Sequence, residues 1–159
     1  MEPSNNNTFK QEPVNEKIKF YLTKYEGIYR LMRASSLDIF MKPLLQVMID
    51  EDEIFSYNKS HDEQSIIVSE NAFQKYFNVP GISEHIQYSY CYSIVRFDTS
   101  GLIDKYGVLS QLIKHFEKHK ISILCESTYS YNYILYEKDK EEDFIKMVEE
   151  ADDIECETE

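Results

Sequence analysis

Hydrophobic periodicity is missing from the first sixteen residues. They are polar, with an Asn5-Asn6-Asn7 run and prolines at Pro3 and Pro13, and 1–16 reads as a disordered arm. From Lys17 the pattern changes. Ile18, Phe20 and Leu22 alternate with polar positions, as on a half-buried strand. Glu26-Gly27 then turns the chain into a second extended stretch, 28–33. From Asp38, a cap by type, Ile39, Phe40, Pro43, Leu44, Val47 and Met48 follow helical spacing. Pro43 predicts an irregular first turn or a helix that starts there. After the solvated acidic block Asp50-Glu51-Asp52-Glu53, strands are expected at 54–57 and 64–68. A short amphipathic helix at 71–77 follows, closed by Pro80-Gly81.

The order then repeats. A strand is expected at 90–97 and the clearest helix at 106–119, where Val108, Leu109, Leu112, Ile113 and Phe116 share a face. Strands at 121–124 and 131–136 follow, and a last helix from Lys140 turns Phe144, Ile145 and Val148 inward. The pattern predicts an α+β fold of two tandem ferredoxin-like βαββα repeats, at 17–80 and 86–150, with antiparallel sheets and helices on one face. Units of about sixty residues bury little surface alone, so the two are expected to share a core or join their sheets. The segment 151–159 reads as an acidic tail.

Composition changes this picture little. The chain has 159 residues, a net charge of −12, 4 Gly and 4 Pro. Such acidity argues against nucleic acid and anionic membrane surfaces, and so few glycines leave little for a phosphate-cradling loop. No apolar run approaches membrane-spanning length, and no secretory signal opens the chain. Cys91, Cys125 and Cys156 form no C-x-x-C pair and read as reduced thiols, which places the protein in the cytoplasm. His115 and His119 stand four apart on a helix but lack a third ligand, so solvated helix residues are the better reading and no metal or cofactor is expected. No serine or cysteine nucleophile has a readable base, and adjacent pairs such as Asp62-Glu63 would diverge on regular structure. Nothing in the sequence asks for an enzyme. The 13 tyrosines include two alternating sets, Tyr88/Tyr90/Tyr92 and Tyr129/Tyr131/Tyr133, each able to share one sheet face. They suit either a base-stacking platform or an amphipathic contact between sheets or protomers. Without a basic stripe beside them, the contact is favoured.

The stretch Gly107-Val108-Leu109-Ser110-Gln111-Leu112, with Ile121-Ser122-Ile123 and Ser127-Thr128-Tyr129, resembles the ACT-domain repeats of the CASTOR arginine sensors and their short two-repeat bacterial relatives. Pro43-Leu44-Leu45, Phe55-Ser56 and 62–68 through Phe73 fall in the same family's order. The resemblance implies no catalysis. It implies an amino acid held between two ACT units, with Ile121, Ser122 and Ile123 on one wall and Val108, Thr128, Tyr129 and Asn132 on the other. Asp104 would stand near the helix start. The alternative is that Ser122 and Thr128 only satisfy local backbone. Asn132 stands where the arginine sensors keep an Asp, so arginine is not the expected ligand. The sensors have four repeats and this chain shows two, so a pocket between facing units implies a homodimer.

The expectation is a cytoplasmic, non-enzymatic protein that binds an amino acid or small polar metabolite and signals to a regulatory protein partner. The alternatives are a ligand-free interaction module of the same fold and, behind it, an RNA-recognition-like binder. Charge distribution adds one correction. Residues 137–159 hold 12 acidic and 3 basic residues, a net −9, leaving only −3 on the preceding 136.

Overall fold

The computed structural model describes residues 12–13, 18–34, 37–50, 54–61, 63–98, 105–128 and 131–159. Strands β2 (Phe20–Lys24) and β3 (Tyr29–Ala34) are followed by α1 (Leu37–Ile49), β4 (Ile54–Lys59) and β5 (Gln64–Ser69). Helix α2 (Glu70–Ala72), capped by the Ser69 hydroxyl, widens into a π-helical turn over Phe73–Phe77 that buries Phe73, Tyr76 and Phe77. The second half contains β6 (Gln87–Asp98), α3 (Val108–Lys118), β8 (Ile123–Ser127), β9 (Tyr131–Glu137), α4 (Glu141–Glu150) and β10 (Ile154–Thr158). A two-residue parallel bridge joins β1 (Glu12–Pro13) to β7 (Lys105–Tyr106), so part of the expected disordered arm is paired. Helix α1 runs through Pro43 rather than starting there, giving up the backbone bond that Pro43 has no N–H to make.

The sheet has eight strands, in the order β10-β2-β6-β3-β5-β4, with β9 pairing β6 and β8 pairing β9. Strand β6 belongs to both halves. Its first part, Gln87 to Tyr92, pairs with β3 and closes the first βαββα unit. Its second part pairs with β9 and opens the second unit. Strands β2 and β3 both run antiparallel to β6 and lie end to end along one of its edges. The expected turn at Glu26-Gly27 is therefore a bend without reversal, with Gly27 at φ 122° and the Tyr25 N–H still donating to the Ile94 carbonyl at 3.0 Å. Strand β10 runs parallel to β2, which separates it from β6. The 151–159 segment is thus not a solvated tail: Ile154 is 5% exposed and Cys156 packs on the same cluster.

Alternation places all four helices on one side of the sheet. Met32, Ala34, Ile66 and Val68 meet Phe40, Leu44 and Val47 of α1 and Phe73 and Phe77 beyond α2. Leu22, Val95, Phe97 and Ile134 meet Leu112 and Phe116 of α3 and Phe144 and Met147 of α4. The opposite side carries its own buried cluster: Tyr29, Ile67, Tyr92, Ile94 and Leu135. Among the described residues no helix covers this cluster, yet Ile94 and Leu135 are fully buried. The sheet covers them itself. Asn58 on β4 and Glu126 on β8 are five strand steps apart, about 24 Å on a flat sheet. Nevertheless, the Asn58 amide lies 3.4 Å from both Glu126 carboxylate oxygens. The sheet therefore curls until its far strands meet, enclosing the third cluster.

Candidate functional site

The residues expected to bind a ligand fall at two ends of one hairpin. Strand β8 runs parallel to β6, so its end, Ser127, lies opposite Asn132 and close to the end of β6 at Phe97. Helix α3 starts at that same end, after Gly107 at φ 87°. Val108, Thr128 and Asn132 are thereby brought to one end of the second unit. Ile121, Ser122 and Ile123 enter β8 at the other, about 20 Å away along an extended chain. Ile121 and Val108 are core residues, 5% and 7% exposed, whereas Ser122 is exposed and Ile123 half-buried. Asp104 and Tyr129 lie outside the described residues.

The polar members of the hairpin are engaged locally. The Thr128 hydroxyl donates to the Tyr131 carbonyl and accepts from its N–H, both at 3.2 Å. The Ser127 hydroxyl donates to the Asn132 side-chain oxygen at 2.6 Å. This is the turn chemistry expected of Ser and Thr beside a hairpin.

The two tyrosine sets behave differently. The pairing of β3 with β6 shifts register between Arg30 and Met32, so Tyr88 lies opposite Met32 while Tyr92 lies opposite Tyr29. Met32 and Tyr29 face opposite sides of β3, so Tyr88 and Tyr92 do not share a face. Tyr88 packs on Phe73 beside α2, with ring centroids 5.1 Å apart, whereas Tyr92 joins the third cluster. Tyr131 and Tyr133 do share the helix-free face, with the Arg96 guanidinium over Tyr131 at 4.7 Å.

The two helix histidines face separate carboxylates. His115 Nε2 lies 3.3 Å from Asp153 and His119 Nε2 3.5 Å from Glu150. Among the described residues no three His, Cys, Asp or Glu side chains converge as metal ligands, and no helix is long and apolar enough to cross a membrane.

The curl of the sheet creates a cleft that the sequence did not announce. It has a volume of about 380 Å³ and lies between β3 and β5 of the first unit and β8 of the second. Leu31, Ser65 and Ile67 line one wall, Leu124 and Glu126 the other, and Arg33 stands at the rim. The Arg33 Nε donates to the Gln87 side-chain oxygen at 2.8 Å, and Nη1 reaches Glu63 at 3.4 Å. A signal for these residues was present, since Leu31, Arg33, Ser65 and Ile67 alternate along their strands. Nothing in that alternation says that β8 will cross in front of them.

No family model and no curated protein matches the chain. Solved structures do. A protein from Agrobacterium tumefaciens superposes with TM-score 0.67 at 18% identity, covering 89% of this chain and 94% of that one. The ligand-free regulatory subunit of aspartate kinase from Thermus thermophilus gives 0.62 at 10% identity, covering 86% and 98%. A protein of unknown function from Vibrio cholerae gives 0.59 at 10%, covering 81% and 87%. The chain shares the fold of these aspartate kinase regulatory subunits. At such identities the likeness is one of architecture, two ferredoxin-like units joined through a common sheet.

Proposed function

We propose that this chain is a non-enzymatic ACT-type regulatory protein that binds an amino acid or small polar metabolite and passes that state to a protein partner. The observation that carries the reading is the superposition on an aspartate kinase regulatory subunit across 86% of this chain and 98% of that one. The CASTOR-like residues supply the finer proposal. Val108, Thr128, Tyr129 and Asn132, with Asp104 at the helix start, form one wall, and Ile121, Ser122 and Ile123 form the other. Within one unit the walls lie at opposite ends of β8. A pocket made of both takes one wall from each of two ACT units, and a homodimer supplies that pairing.

The test is a thermal-shift and calorimetric panel of the amino acids. A ligand present at a hundred times its Kd adds about 2.7 kcal/mol of stability. For a chain of this size that raises Tm by about 5–10 °C. A panel in which no amino acid moves Tm removes the sensor reading. Sizing should give twice the 18.9 kDa chain mass in the presence of ligand.

One observation favours a second reading, a ligand-free interaction module. The Thr128 and Asn132 side chains already have partners within the hairpin. That module recovers the same protein partner whether or not amino acids are added.

A further inference from the structure

The cleft closed by the curl of the sheet has the composition of a small-molecule site. Its volume of about 380 Å³ falls in the range of natural ligand pockets. Leu31, Ile67 and Leu124 give it apolar walls, with the Arg33–Glu63 ion pair on one side and Glu126 on the other. On the first-unit side, Arg33 is held by Gln87 through Nε and by Glu63 through Nη1. Arg33 is exposed, and its Nη2 has no partner among the described residues. On the second-unit side, the half-buried Glu126 carboxylate accepts, among the described residues, from the Asn58 amide, at 3.4 Å to each oxygen. No cation faces Glu126 among the described residues. A half-buried carboxylate that no described cation pairs is open to an incoming ammonium group.

We infer that this cleft binds a free amino acid with an apolar side chain. The ligand carboxylate sits on Arg33, its ammonium on Glu126, and its side chain against Leu31, Ile67 and Leu124. The inference rests on the ligand-binding reading above but moves the ligand away from the β8–β9 hairpin. It also supplies a coupling. Arg33 belongs to the first βαββα unit and Glu126 to the second, so the bound zwitterion bridges the units and stabilises the curled sheet over a flatter one.

The experiment titrates L-leucine, L-phenylalanine and 3-methylbutylamine, the last lacking the carboxylate, into the full-length protein by calorimetry. Arg33→Gln, Glu126→Gln and Leu124→Trp are compared with the wild type, and circular dichroism establishes that each variant is folded. Leucine or phenylalanine is expected to bind and the amine to bind at least tenfold more weakly. Arg33→Gln and Glu126→Gln each lose about tenfold or more in affinity, and Leu124→Trp, which fills the cleft, abolishes binding. Hydrogen exchange slows on ligand addition at 63–67 and 124–126. Binding that is unaltered in all three variants overturns the cleft assignment and leaves the sensor reading standing. Equal affinity for amine and amino acid overturns the role of Arg33. Failure of every amino acid in the wider panel overturns both readings.

Discussion

Glu141 opens α4 and gathers four side chains from three separate segments. Ser93 on β6 donates to it at 2.9 Å, Tyr136 on β9 at 3.2 Å and Lys138 at 3.1 Å, and Lys24 on β2 pairs with its other oxygen. Burial alone would raise its pKa. The hydrogen bonds from Lys24, Lys138 and Ser93 outweigh that and hold it down to about 2, from an ordinary value of 4.5. The same carboxylate, after burial itself, helps push the Tyr136 phenol upward. Because the folded value is the lower one, Glu141 stabilises fully above pH 4.5 and loses its contribution as pH falls from there to about 2. Glu141→Gln should cost about 1–3 kcal/mol at neutral pH and flatten the acid limb of the stability curve in urea titrations from pH 7 to pH 2. Arg30 shows a second arrangement of this kind. Its guanidinium lies 5.2 Å from the Phe73 ring and 5.5 Å from Tyr88, and Nε meets Glu70 at 2.5 Å and Nη2 at 3.3 Å. Arg30→Lys keeps the charge and loses the fork and the flat stacking surface, so urea denaturation should show a loss of about 1–2 kcal/mol.

Strand β10 shows how an element can be present in the sequence and masked by its charge. Ile154, Cys156 and Thr158 alternate with Glu155, Glu157 and Glu159, which is a strand pattern carrying acid on one side. Ile154 enters the core beside Phe20, while Lys19 pairs with Glu155 at 2.5 Å. Ile154→Ala should cost about 2–4 kcal/mol, measured by chemical denaturation. Glu157→Gln, on an exposed position of the same strand, should stay within about 0.5 kcal/mol of wild type. The bulge in β6 has a larger consequence. One additional residue places Tyr88 against the α2 side and Tyr92 in the buried cluster, so three tyrosines at even spacing do not make one surface.

At the scale of the molecule, the two repeats are joined by shared backbone rather than by a linker. The 12-residue strand β6 closes the first unit and opens the second, and β2, from the N-terminal end, sits between β6 and β10. A break before β6 strips the first unit of its fourth strand and the second of β2. Fragments 1–85 and 86–159 should therefore each lack a cooperative thermal transition, while the full chain unfolds in one step detected alike by circular dichroism and tyrosine fluorescence. Two fragments that each melt cooperatively would show independent domains.

Local pattern alone specified most of the elements and the duplication. The helix over Val108–Lys118 is written in Val108, Leu112 and Phe116, and the strand over Gln64–Ser69 in Ile66, Ile67 and Val68, because burial on one face leaves a period in the sequence. The family resemblance added candidate residues, but it did not say that Ile121 and Val108 would be core or that Thr128 would be bonded to its own turn. The sequence also marked Leu31, Arg33, Leu124 and Glu126 only as members of alternating strands. Bringing Glu126 within reach of Asn58, and so forming a cleft with the Arg33–Glu63 pair on one side and Glu126 on the other, required the curl of an eight-stranded sheet. That curl is set by twist accumulated over many strand pairs and by the burial of Tyr29, Ile67, Ile94 and Leu135 on the face opposite the described helices. These contacts lie far apart along the chain, so no local window records them, and tertiary structure alone decided where a ligand can sit.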